Sequence, residues 1–524
     1  MRGAPWFSGK GIAGWIWFAC LAMMVVIGQP AQAAPVLDMQ KYPGFYVGAK
    51  GFIIELKSVN SSSIKKSSYD QDGNLILTSN VIDEMSLKVY WHDNIQDFTE
   101  EDIDDENWDE MDDDDVTVTY KRNNATYKAE ARSGGKTFVI KNYDTGLNKS
   151  GTGKIQLEVS GTVNVNNTPT EVKDTFAIPF VYHQVDMPGY KQIVQFKAGS
   201  KIDAFNQSIV LEFPKNSVLV NSSNLPLAQQ QLIIQVEEQP ASTETITFVG
   251  NRYTVQADTS GAKLSASGTI TLTYDERVSK EAALYNLTVF HYKNGEWIPI
   301  GGVVDSAKHT ISAPFHEFGT YAVALHYTTY SGLERWAEPY IIPLSNKGVI
   351  SQQLLKQKAQ NHTINRFEFT VMLVKALGWK PIPYDGHFQD LSPNHPTYRD
   401  DLDYVMAAIS KGLVTGRTDQ FGNNFMDPNG TLTREYAAVF VSRAMNLNIQ
   451  TYANLQKTEN ELSRLFVDYK QIGKWAWPNV LAIQKAGIML GDETGRFNPK
   501  QPLTFAQAST IIYRMMDKMG LFGK

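Results

Sequence analysis

One segment occurs three times in this chain. Leu432-Thr433-Arg434-Glu435-Tyr436-Ala437-Ala438 is preceded by Ile364-Asn365-Arg366-Phe367-Glu368-Phe369 and followed by Leu503-Thr504-Phe505-Ala506-Gln507-Ala508. Each copy opens with Thr or Asn, whose side-chain oxygen can accept from the free N–H groups at a helix start, and each carries Glu or Gln within the next three residues. Three helix N-termini are predicted. After the third, Ala508, Ile511, Ile512, Met515, Met516 and Met519 keep the i, i+3, i+4 rhythm that buries one helix face.

Upstream of each start lies a glycine turn: Lys347-Gly348-Val349-Ile350, Lys411-Gly412-Leu413-Val414-Thr415-Gly416 and Lys485-Ala486-Gly487-Ile488-Met489-Leu490-Gly491. Glycine there can take the left-handed conformation of a helix C-terminal cap. Copies two and three begin with Phe388-Gln389-Asp390 and Phe466-Val467-Asp468, and later run through Phe425-Met426-Asp427-Pro428 and Phe497-Asn498-Pro499. The order loop, helix, glycine turn, loop, helix recurs with first glycines 64 and 75 residues apart, which is repeat architecture.

An F-x-D opening, a Trp-Ala on the first helix, G-[IVL]-x-x-G, F-x-P and a T-R motif, in that order, resemble S-layer homology repeats. Three are expected, at residues 333–380, 386–447 and 464–524. The resemblance implies an all-α pseudo-threefold module whose grooves bind a secondary cell-wall polysaccharide of Gram-positive bacteria, often through a pyruvylated sugar.

At the other end, Arg2 and Lys10 precede an apolar run over residues 12–27, and Ala31-Gln32-Ala33 offers small residues for cleavage. Residues 1–33 read as a secretory signal peptide, with a retained membrane anchor as the alternative. No integral membrane segment is expected after cleavage, so the chain should be extracellular. The single cysteine, Cys20, leaves with the leader, which excludes a disulfide framework and thiolate chemistry. The net charge of -6 argues against nucleic acid as a partner.

Between leader and repeats, short alternating runs bounded by Gly, Asn, Asp and Ser predict antiparallel strands. Examples are Leu87-Lys88-Val89-Tyr90-Trp91, Ile155-Gln156-Leu157-Glu158-Val159 and Thr269-Ile270-Thr271-Leu272-Thr273-Tyr274. Two immunoglobulin-like β-sandwiches are expected, at residues 34–186 and 187–328, so the chain should be multidomain, all-β and then all-α. Asn294-Gly295-Glu296-Trp297-Ile298-Pro299-Ile300-Gly301-Gly302 and His316-Glu317-Phe318-Gly319-Thr320-Tyr321-Ala322-Val323 loosely resemble the last strands of sandwich modules beside wall anchors. Residues 327–332 read as a linker.

Residues 93–115 hold fourteen Asp and Glu and no Lys or Arg. One reading is a calcium site, with Asp112, Asp113, Asp114 and Asp115 as first candidates, because hard oxygen ligands suit that ion. The other is a solvated acidic loop with no bound metal and no cofactor.

An anionic sugar asks for a planar cation and an apolar platform, which Arg and Trp supply. The family's T-R arginine falls on Arg366 and Arg434, with Phe505 in copy three, and its first-helix tryptophan falls on Trp336 and Trp475, with Asp400 in copy two. Copy one lacks both the F-x-D opening and the F-x-P loop, so unequal grooves are expected. Gly412 and Gly487 join the glycan-binding candidates because bare backbone admits a sugar, although caps are their simpler role. Asp390 and Asp468 read as loop-capping acceptors.

No G-x-S-x-G, H-E-x-x-H or P-loop occurs, and the nine His are scattered. The sequence therefore suggests a non-catalytic surface protein held to wall polymer, with sandwiches in an S-layer, adhesive or scaffolding role and self-assembly as a further option. The alternative is a wall-bound glycan-degrading or glycan-modifying enzyme with its active site within residues 34–328. Convergent carboxylates in an aromatic-lined cleft would favour that alternative.

Overall fold

The computed structural model describes residues 37–524, except 40, 96–97, 105–107, 123, 148–149, 183–185, 229, 329–332, 334, 358–361 and 397. The predicted leader lies outside the described residues, as does the linker from residue 329 on. The N-terminal region is mostly β-sheet, and the C-terminal region is helical.

In the first β region, a sheet built around Phe52–Val59, Val81–Trp91 and Thr137–Asp144 faces another built around Val116–Arg122, Gly151–Val165 and Thr168–Tyr182. Period-two alternation sends Phe52, Ile54, Leu87 and Val89 from one sheet, and Val118, Ile155, Leu157 and Phe176 from the other, into a shared core. The two longest strands, of 15 residues each, turn at Asn166 and Asn167. Both asparagines have positive φ, 50° and 62°, as a tight hairpin turn requires. Against the antiparallel expectation, Leu75–Leu77 pairs parallel with Thr168–Tyr182.

The described parts of the acidic segment fold with apolar side chains buried beneath carboxylates that are mostly exposed. Phe98 and Ile103 are buried with Leu37, Tyr42, Val47, Ile53 and Tyr90 against the outer face of the first sheet. The Trp108 ring lies 5.7 Å from Phe45 and 5.2 Å from Tyr90, and Asp109–Met111 adds a strand to Val81–Trp91. Asp112, Asp113, Asp114 and Asp115 form the turn that follows. There the Asp112 carbonyl accepts from the N–H groups of Asp115 and Val116 at 3.2 and 2.9 Å, and its carboxylate accepts from Asp114 N–H at 3.1 Å. Among the described residues no three His, Cys, Asp or Glu side chains gather closely enough to hold a metal ion.

The second β region repeats the two-sheet plan, with Gln231–Glu237, Ile246–Ala257 and Gly319–His326 in one sheet and Ile209–Glu212, Gly268–Thr273 and Thr310–Phe315 in the other. Asn80 fastens it to the first region. Its amide donates to the Leu147 and Ile193 carbonyls at 3.1 and 2.8 Å and accepts from Ile193 N–H at 2.8 Å.

In the helical region the three repeated segments meet. Isolated β-bridges join Thr363 to Thr504, Asn365 to Thr431, and Thr433 to Pro502, so each helix start leans on another in cyclic order. Ile364, Leu432 and Leu503, one residue before each start, are 1% exposed or less. Asn365 and Thr504 form full capping boxes with Glu368 and Gln507. Thr433 does not, because Glu435 stands one position too early, and its hydroxyl is buried without a partner. Of the predicted apolar stripe, Ala508, Ile511, Ile512, Met515 and Met516 are buried, whereas Met519, at the helix end, is 38% exposed.

This helical region is docked on the second β region. His326 Nδ1 is 3.0 Å from the Asn346 carbonyl, which fixes that nitrogen as the donor, and the Asn346 side chain takes Thr328 N–H and reaches Asn286 Oδ1, both at 2.8 Å. Lys347, fully buried, donates to the Gly302 carbonyl at 3.0 Å. Residues Phe522, Gly523 and Lys524 run beside Val304, with N–H to O distances of 3.2 and 3.0 Å.

Burial pushes the Lys347 ammonium down from 10.5 to about 7. The unfolded chain therefore binds more protons between those two values, and stability rises with pH across that window. Below about pH 7 the folded state carries the full cost of a buried cation. Lys347→Met should raise the melting temperature most near pH 6 and least near pH 10, by calorimetry; equal gains at both would reject this account. Gly348 and Gly487 are both left-handed caps, with φ 74° and 77°, but a Cβ on Gly348 would lie 2.4 Å from the Pro299 carbonyl, whereas one on Gly487 meets nothing within 4 Å. Gly487→Ala should cost about 1–2 kcal/mol in urea unfolding, and Gly348→Ala distinctly more.

Candidate polymer-binding groove

Arg434 begins the helix Arg434–Ala444, and its backbone N–H donates to the Gln501 carbonyl at 3.1 Å, so the neighbouring loop sets its position. Its guanidinium reaches across to the loop ahead of the third helix start, donating through Nε to the Phe497 carbonyl at 2.7 Å and through Nη2 to the Leu490 carbonyl at 2.9 Å. It also lies 5.1 Å from the centre of the Phe497 ring. Two of its five N–H donors are thus spent, leaving three for a ligand.

The floor beneath it is set by Asp468. Its two carboxylate oxygens each accept a backbone N–H, from Phe497 and Asn498, at 2.8 Å. Asp390 does the same for Met426 and Asp427. Both acids are therefore loop clamps, as predicted from their place before a turn.

Arg434, Leu490, Asp492, Asn498, Lys500 and Gln507 line an open groove of about 610 Å³. Burial lowers the Arg434 pKa from its ordinary value, but a guanidinium remains charged at any physiological pH. Glu435, 2% exposed, accepts from Gly473 N–H at 2.9 Å and pairs with Lys500. Its early position loses a capping box and gains a tie to the last unit. Asp492 is held well below the usual carboxylate range by the Thr494 hydroxyl, the Arg496 N–H and the Asn498 amide. With Lys500 matched by Glu435, Arg434 is left without an ion-pair partner among the described residues.

Arg366 stands differently. Its guanidinium lies 5.3 Å from the centre of the Tyr436 ring and 5.5 Å from that of Phe440, and its Nε is buried without a hydrogen-bond partner. Tyr436 in turn packs 4.9 Å from Trp475, which is 51% exposed. Arg366, Tyr436 and Trp475 therefore form one cation and aromatic cluster, separate from the residues lining the Arg434 groove. Trp336 is 48% exposed at the turn entering Glu338–Asn346. Gly412 and Gly487 serve as helix caps, their N–H groups donating to Ile409 and Gln484 at 2.9 and 2.8 Å, and it is Gly491 that lines the groove. Gln507, Lys500 and Asn498 escaped prediction. Only the spacing of Gln507 from Thr504 was a signal, and it pointed to a cap.

The S-layer homology domain family matches residues 465–509. The chain is thus a surface protein carrying an S-layer homology domain, and domains of that class bind secondary cell-wall polymers. It is anchored at the cell wall or surface in the extracellular space, and no helix among the described residues is long and apolar enough to cross a membrane.

Three characterised relatives share part of its length. An amylopullulanase of Thermoanaerobacterium thermosulfurigenes is 29% identical over 261 residues, 48% of this chain and 13% of the relative. Exoglucanase XynX of Acetivibrio thermocellus is 32% identical over 185 residues, 35% of this chain and 16% of its own. An endoglucanase of Bacillus sp. strain KSM-635 is 29% identical over 189 residues, 35% of this chain and 18% of its own. The chain thus spans less than a fifth of the length of each.

These relatives overturn the expectation of a non-catalytic protein, since all three are named as glycan-cleaving enzymes and point to an enzyme here. Glycoside cleavage needs two carboxylates at a distance set by the fold, so the lack of a linear catalytic motif in a sequence is no evidence against such an enzyme.

Asp468→Ala would free two buried or part-buried N–H groups of the loop that carries Phe497 and should cost about 2–4 kcal/mol in urea unfolding. An unchanged midpoint would reject the clamp.

Proposed function

We propose that this chain is a wall-bound enzyme of glycan degradation, exported by residues 1–33 and held by three S-layer homology repeats at 333–380, 386–447 and 464–524. The cyclic bridges Thr363–Thr504, Asn365–Thr431 and Thr433–Pro502 support a pseudo-threefold packing of those repeats. The paired sheets support two immunoglobulin-like units at 34–186 and 187–328, within which the glycan-acting site lies.

The observation that carries the anchor is the unpaired Arg434 guanidinium at the rim of an open, polar groove. A carboxylate-bearing sugar, such as a pyruvylated residue of the wall polymer, matches the donors that Arg434 leaves unused. Arg366 over Tyr436, beside Trp475, supports a second contact in which an aromatic face meets a sugar ring. Phe505 replaces the arginine at the third helix start, so the three grooves differ in strength. The similarity to glycan-cleaving enzymes supports the catalytic half of the proposal.

Co-sedimentation with purified Gram-positive walls tests the anchor. Arg434→Ala should weaken binding about tenfold or more, the loss of a charged hydrogen bond, and stripping the secondary polymer should abolish it. Full binding by the double variant Arg366→Ala, Arg434→Ala would remove both residues from the interface. Release of reducing sugar from soluble starch, pullulan and carboxymethylcellulose tests the catalytic half, and none from any of them would refute it.

A further inference from the structure

A second cleft, of about 470 Å³, opens in the second β region, away from the Arg434 groove. It exists because the ladder between Ile246–Ala257 and Gly319–His326 is interrupted between Phe248 and Arg252. Gly250 lies in that interruption, where a Cβ would come within 2.7 Å of the Thr273 carbonyl and 3.3 Å of the Val323 side chain. A bulge that only glycine permits is a device for re-aiming a strand beside a site.

The groups it gathers are acceptor-rich. Both oxygens of Asp186 accept from the Tyr253 hydroxyl, at 2.7 and 2.8 Å, and no cation pairs with this carboxylate among the described residues. A carboxylate offers about four acceptor positions, so Asp186 is fixed in place with capacity to spare. Gln239 gives its Nε2 to the Gly250 carbonyl at 3.0 Å and keeps its own carbonyl oxygen. Asp275 is gripped by the exposed Arg277, with Nε 2.9 Å from both its oxygens. Phe248, packed edge-on against Trp297 with centroids 5.2 Å apart, supplies an apolar wall.

We propose that this cleft is a saccharide-binding subsite that takes an uncharged sugar ring through adjacent hydroxyls, with Asp186 and Gln239 as acceptors and Phe248 as the apolar side. A sugar brings many O–H donors and few charges, which matches a surplus of acceptors beside one unpaired carboxylate. An anionic sugar would meet Asp186 with like charge, so this subsite and the Arg434 groove select opposite ligands. The subsite deepens the proposed role in glycan degradation and rests on it.

Calorimetric titration of the full chain with maltohexaose and with cellohexaose tests it. One of the two should bind, and Asp186→Asn and Gln239→Ala should each weaken it about tenfold. Wall co-sedimentation should be unchanged in both variants, and Gln239 is exposed, so its replacement leaves the fold intact. Undiminished binding by both variants would overturn the subsite. Cleavage of polysaccharide without oligosaccharide binding would overturn the subsite alone. Binding lost in the variants, with no polysaccharide cleaved by the wild type, would uphold the subsite and overturn the enzymatic role. Absence of both binding and cleavage would overturn both.

Discussion

The helical region depends on three short backbone contacts. Thr363 with Thr504, Asn365 with Thr431 and Thr433 with Pro502 bring the repeated segments together in a cycle, with Ile364, Leu432 and Leu503 buried between them. Each contact is small, but it fixes the entry of a helix and satisfies backbone groups that a helix start otherwise leaves open. The cycle also determines which loop each helix start faces. Arg434 meets the Phe497 and Leu490 carbonyls because Thr433 is bridged to Pro502, not because anything near Arg434 in sequence selects them.

Equivalent segments of different sequence become unlike sites through the residues at a few key positions. At the third start Phe505 is fully buried where the others carry arginine. At the second, Glu435 in place of a residue one step later gives up a capping box and ties the helix to Gly473 and Lys500. That exchange leaves Lys500 neutralised and Arg434 without an ion-pair partner among the described residues, so the electrostatics of the groove follow from where one glutamate falls in its helix.

What could be read from sequence was what is local. Caps, glycine turns and loop clamps are decided within a few residues, and Asn365, Thr504, Gly412, Gly487, Asp390 and Asp468 took the structural parts expected of them. The Arg434 contacts span 56 and 63 residues and left no local trace. In the acidic segment, charge hid a second pattern: Phe98, Ile103 and Trp108 stand among the carboxylates and cover the first sheet. The Phe248 to Arg252 bulge was equally invisible, because a strand of alternating residues gives no sign of where its partner lets go.

Several attachments join the helical region to the second β region: one around Asn346 and Lys347, a second where Phe522, Gly523 and Lys524 run beside Val304, and another where Lys380 reaches the Leu264 carbonyl at 3.4 Å. A load pulling between the wall and the sheets would therefore be divided among separate points. The second is a backbone pairing, which resists sliding only while its hydrogen bonds yield together. Tension on such an anchor meets a stiff bracket in place of a swinging tether, so the direction in which the sheets face the surrounding medium is set by the same contacts that bear the pull.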